Sequence, residues 1–117
     1  MKNKKAQQKI EHIVSEVQQN DSVSISIVEE LKDLRAYAVK EKLPVVAKAL
    51  RLAYEHIEEN ENFIIPIPTD EPLEGEEEDV QLITGVESFV YFMDLIKNSN
   101  NKINLQELRE YNRLMEL

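Results

Sequence analysis

Residues 61–79 hold eight carboxylates (Glu61, Asp70, Glu71, Glu74, Glu76, Glu77, Glu78, Asp79) and no Lys or Arg. The same stretch contains Pro66, Pro68, Pro72 and Gly75. Proline removes a backbone donor and clashes with the preceding helical turn, so this stretch is a poor helix and a natural divider. The fold must therefore be built from what lies on either side, a helical N-terminal part and a helical C-terminal part. Charge follows the same division. Residues 1–60 balance ten acids against ten bases and residues 80–117 set five against four, so the net charge of −9 belongs almost wholly to the divider.

At 117 residues the chain has the size of one domain, 1–117, able to bury a core without covalent staples. It has no cysteine, which removes disulfides, thiol nucleophiles and thiolate zinc sites and suits a reducing compartment. Lys2, Lys4, Lys5 and Lys9 are followed by Gln7, Gln8, Glu11 and His12 rather than by the apolar core of a signal peptide, so the cytoplasm is the expected location. The most apolar window, 80–96, is interrupted by Gln81, Thr84, Glu87, Ser88 and Asp94 and falls short of the ~20 apolar residues of a membrane helix. No membrane is expected as a partner. Nor is nucleic acid, whose phosphates demand Lys and Arg that this chain lacks in excess.

Apolar spacing of three and four predicts the helices. Over 4–19 the stripe is Ala6, Ile10, Ile13, Val14 and Val17; over 27–42 it is Ile27, Val28, Leu31, Leu34 and Ala38, with Ser26 and Glu29 matching a capping box. Pro44 opens a third helix, 44–59, striped by Val46, Ala49, Leu50, Ala53, Tyr54 and Ile57. Phe63, Ile64, Ile65, Pro66, Ile67 and Pro68 are too apolar for a free linker, and we expect an extended crossing of the bundle with Phe63 and Ile65 buried. A fourth helix, ending near 97, begins at 80 or at 85. In the second case Thr84 and Glu87 form its capping box and 80–83 is free to pair as a short strand with 63–67. Phe89, Val90, Phe92, Met93, Leu95 and Ile96 cover more than one face of it. A last helix, 105–117, turns Leu105, Leu108, Tyr111, Leu114 and Met115 inward.

Residues 96–107, Ile-Lys-Asn-Ser-Asn-Asn-Lys-Ile-Asn-Leu-Gln-Glu, carry the most specific local pattern. Counted from Ile96, Asn98 and Asn100 fall at positions three and five, Lys102 at seven, the aliphatic Ile103 at eight, Asn104 at nine and Glu107 at twelve. In this the stretch resembles an EF-hand calcium loop. It departs from that pattern at Ile96, where an acid belongs, and at Asn101, where glycine belongs, and Glu107 alone brings negative charge. Asn104 and Glu107 also spell a capping box and the asparagines suit a tight turn, so the stretch reads as a metal-free helix–turn–helix joint. Asn98, Asn100, Asn104 and Glu107 are its metal candidates.

His12 precedes Glu16 by four residues and His56 precedes Glu59 by three, so each pair shares one helix face. Neither has a second histidine nearby, and both read as surface pairs. There is no Gly-x-Ser-x-Gly nucleophile and no glycine-rich phosphate cradle. No cofactor and no enzymatic activity are expected. Tyr37, Tyr54, Tyr91 and Tyr111 sit on or beside apolar stripes and are expected in or at the edge of the core.

These features predict an all-α bundle of four to five helices with a Pro-bearing crossing segment and an acidic loop. The expected function is a small protein-binding or adaptor module acting through a helical surface, as a homodimer, because the helix over 86–96 is apolar on more faces than four companions of this length need cover. The alternative is an acidic inhibitor or immunity-type protein that meets a basic partner through Asp70, Glu71, Glu74, Glu76, Glu77, Glu78 and Asp79. A metal-responsive joint at 96–107 is the third.

Overall fold

A computed structural model of the chain describes residues 1–68 and 83–117. Among these residues the fold is all-α, with no strand. Its helices are α1 (Lys4–Asn20), α2 (Val28–Lys40), α3 (Pro44–Asn60), α4 (Val86–Lys97) and α5 (Lys102–Met115), and a 3-10 turn at Ile25–Ile27 leads into α2. None of the described helices is long and apolar enough to cross a membrane.

The stripes read from spacing are the stripes that are buried. Ala6, Ile10, Ile13 and Val17 of α1, Val28, Leu31, Leu34 and Ala38 of α2, and Val46, Ala49, Leu50, Ala53 and Ile57 of α3 all enter one core. α2 packs on α3, α3 on α5, and α4 on both α1 and α5. The chain is poor in glycine, and the first three helices stop without it. Asp21, Lys42 and Glu61 take the left-handed conformation at φ 51°, 60° and 54°. After α2, Leu43 N–H donates to Ala38 O at 3.0 Å and Lys42 N–H to Val39 O at 3.0 Å, the paired bonds of a Schellman ending with lysine where glycine is usual.

Three helix starts differ from expectation. Ser26 does not cap α2, because it lies within the 3-10 turn and its hydroxyl donates to Glu16 Oε2 at 3.2 Å. Thr84 does not cap α4. Gly85, at φ 74°, immediately precedes that helix and sends its N–H to Phe63 O at 2.8 Å. α5 begins at Lys102 rather than 105 because Asn101, not Asn104, is its cap, with Oδ1 accepting from Ile103 N–H at 2.8 Å and Asn104 N–H at 3.3 Å. The earlier start of α5 adds backbone hydrogen bonds once the helix is nucleated.

Residues 63–67 cross the bundle as expected, with Phe63 and Ile65 buried. They run opposite in direction to 83–85, joined by Ile67 N–H to Ile83 O at 2.9 Å and by the Gly85–Phe63 bond. Of the stretch 80–83, only Ile83 lies among the described residues. Phe63 is the hub of an aromatic cluster, its ring centroid 5.3 Å from Phe89, 5.6 Å from Phe92 and 6.3 Å from Tyr111. Phe89, Phe92, Met93, Leu95 and Ile96 of α4 are all buried within the one chain. The apolar excess of α4 is therefore absorbed by α1, α5 and the crossing segment, and it no longer argues for a second copy.

Candidate functional site

At the corner between α2 and α3 the chain reverses through Glu41, Lys42 and Leu43, and Pro44 restarts the helix with its fixed φ in the first turn. Two shallow concavities flank Leu43. One, of about 490 Å³, is walled by Val39, Lys42, Leu43, Pro44 and Ala47. The other, of about 500 Å³, lies between Leu43, Glu41, Lys2 and Ser99. A third, of about 390 Å³, opens on the far side of Pro44 between α3 and α5, with Lys48, Arg109, Asn112 and Arg113 on its walls. Val39 leaves 54% of its surface exposed beside them.

The charges of this corner are mostly positive. Glu41 is occupied, its carboxylate accepting from the backbone N–H groups of Lys2 at 2.9 Å and Asn3 at 3.2 Å at the start of α1. Lys48 pairs with Glu116 at 2.8 Å and Arg113 with Glu110 at 3.1 Å. Among the described residues, Lys2, Lys42 and Arg109 make no ion pair. Asn112 is buried, its Nδ2 donating to Val45 O at 3.4 Å while Oδ1 meets no donor among the described residues. An unfilled buried acceptor is costly.

In the helix–turn–helix joint three of the four metal candidates make hydrogen bonds within the chain. Asn98 Nδ2 donates back to Asp94 O at 3.1 Å, and Asn104 Nδ2 donates to Asn98 O at 3.1 Å. Asn100 is exposed in the turn. Glu107 turns toward α4, where its carboxylate accepts from the Tyr91 hydroxyl at 2.6–2.7 Å. Burial first, and then this carboxylate, push the Tyr91 phenol up to about 12. α5 has begun by Lys102, so Asn98 and Asn100 sit in the turn while Asn104 and Glu107 project from a helix. The acidic candidates Asp70, Glu71, Glu74, Glu76, Glu77, Glu78 and Asp79 lie outside the described residues.

The two histidines part company. His56 Nε2 accepts from Ile64 N–H at 3.1 Å, which places the proton of the neutral ring on Nδ1. Burial lowers its pKa, against an upward pull from Glu59. His56 thus pins the crossing segment and is more than a surface pair. His12 meets Glu16 as its spacing suggested, at 3.7 Å, but also meets Glu30 of α2 at 3.2 Å. The two carboxylates crowd each other. Burial first, and then a hydrogen bond and repulsion from Glu16, raise the Glu30 pKa, with His12 and Lys9 opposing. Glu30 was not singled out by the sequence. Its helical phase, four residues before Leu34, put it at the edge of the buried stripe, yet nothing local named α1 as its neighbour.

Set against known proteins, the chain matches no protein family, no curated protein and no solved structure.

Proposed function

We propose that this chain is a non-enzymatic, cytoplasmic protein-binding module that receives an acidic partner segment bearing an apolar anchor at the α2–α3 corner. The observation that carries this is the meeting of three concavities around Leu43 and Pro44, the one between them walled by Val39, Leu43, Pro44 and Ala47, with Lys2, Lys42, Lys48, Arg109 and Arg113 outnumbering Glu41 and Glu116 around the three. Binding sites combine apolar walls with a few placed polar groups, and an opposite charge on the partner speeds its encounter and fixes its register. Positive charge gathered at one corner of a chain with net charge −9 also orients an acidic segment toward that corner. The absence of cysteine supports a reducing compartment. A hetero-partner suffices for this function, with no second copy required.

Selection from a random peptide library on the full chain tests it, with counter-selection on the double variant Val39→Glu, Lys42→Glu. Both positions are exposed, so the variant is expected to fold. Enriched peptides should be acidic with one or two large apolar residues, and should lose binding to the variant and at high salt. Peptides that bind both proteins equally, or no enrichment at all, would refute the proposal.

A further inference from the structure

The side chains that meet between α1 and the first turn of α2 offer one nitrogen and two oxygen donors. His12 Nε2, a Glu16 oxygen and a Glu30 oxygen all lie within 4.8 Å of one another. His12 Nε2 is 3.2 Å from Glu30 Oε1 and 3.7 Å from Glu16 Oε1. A tetrahedral zinc ion with bonds of ~2.0–2.1 Å separates its ligand atoms by about 3.4 Å, so the spacing found here brackets that edge. Small rotations of three side chains would complete three corners. From the juxtaposition of these donors on two antiparallel helices, we propose that His12, Glu16 and Glu30 form a zinc site that clips α1 to α2, with the fourth corner open to water.

The donor set favours zinc over harder ions. Imidazole with two carboxylates suits a borderline cation, whereas magnesium keeps an oxygen shell and several waters. Two partly buried carboxylates facing each other favour a cation between them, and the imidazole beside them adds a nitrogen ligand to two oxygens. Lys9 stands nearby but is directed to Asp33 at 3.9 Å. The Ser26 hydroxyl, donating to Glu16 Oε2, holds that carboxylate in place from outside, as supporting groups do around metal ligands. His12 is largely exposed, with 68% of its side chain accessible, so an ion has a path in. The site lies at the opposite end of α2 from the peptide-binding corner, and neither proposal depends on the other.

The test is a zinc chloride titration of the full chain, followed by calorimetry and by nitrogen-15 spectra of the two imidazoles, with magnesium chloride as the control. We expect one saturable zinc per chain, a shift of the His12 ring nitrogens with His56 unmoved, and no response to magnesium. His12→Ala and Glu30→Gln should each weaken binding at least ~10-fold, as loss of a metal contact does. At a hundredfold excess over the wild-type Kd the melting midpoint should rise by roughly 10 °C in the wild type and by no more than about 6 °C in either variant. Binding that both variants retain would place the ion elsewhere, for instance on the acidic stretch 70–79, and overturn the proposal. So would the absence of saturable binding.

Discussion

Replacing Ser88 by Ala should loosen the crossing segment without touching its own residues. Ser88, at 0% exposure, donates its hydroxyl to Ile65 O at 2.7 Å. A serine hydroxyl carries one proton, so in the 3.0 Å contact with the Tyr111 hydroxyl it is the tyrosine that donates, shared with Ser88 O at 3.1 Å. Ser88→Ala therefore strands a buried carbonyl on Ile65 and removes one of two acceptors from Tyr111. An orphaned buried acceptor costs about 1–3 kcal/mol, and ~2 kcal/mol is expected here. Unfolding entropy of ~2.1 cal/mol/K per residue makes this a fall of roughly 8 °C in Tm for a chain of this length. Tyr111→Phe keeps the Ser88–Ile65 bond and should cost only ~1 kcal/mol. Urea denaturation followed by circular dichroism measures both, together with the double variant. Hydrogen exchange at the Ile67 and Gly85 amides, which tie 63–67 to 83–85, should accelerate in Ser88→Ala alone. If Tyr111→Phe costs as much as Ser88→Ala, or if those two amides keep their protection, the donor order assigned here is wrong.

Three further outcomes are expected. Lys42→Gly relieves a left-handed lysine at φ 60° and should stabilise the fold by about 0.5–1 kcal/mol in the same urea assay; a loss of stability would contradict the Schellman geometry. His56 has a lowered pKa in the fold, so below its unfolded value of ~6.5 the unfolded chain takes up the proton first, and its contribution to stability, complete above that pH, is lost as pH falls through the folded value. The midpoint should accordingly fall more between pH 7.5 and 5.5 in the wild type than in His56→Gln, and parallel curves would remove His56 from that role. Glu107→Gln should bring the Tyr91 titration down from about 12, read by ultraviolet absorbance, yet leave it above the ordinary phenol value because burial is the larger cause.

Much of the fold was open to inspection in the chain. The stripes of α1, α2 and α3 are the buried faces, and Phe63 and Ile65 are marked for burial by lying in a run too apolar for a free linker. Helix starts were less legible. Asn101 and Asn104 offer the same cap chemistry three residues apart, as Ser26 and Thr84 offer caps that go unused, and local sequence cannot rank equivalent caps. The apolar excess on α4 demands cover, but spacing alone does not say how much of it the crossing segment supplies, because that depends on where the segment lies. At the candidate sites, His12 and Glu16 were paired by spacing along one helix, whereas Glu30, the corner around Leu43 and the Ser88–Tyr111–Ile65 chain of hydrogen bonds were not visible.

That division has a physical origin. Periodicity, proline and charge act over a few residues, so helix identity, buried face and the split of the chain around 61–79 follow from covalent neighbours alone. Which side chains from different helices meet depends on the rotation and crossing of each helix, and these are set by burying the apolar area of the entire bundle at once. Glu30 faces His12, and Ser88 reaches Ile65, only because that global packing leaves each of them one place to be.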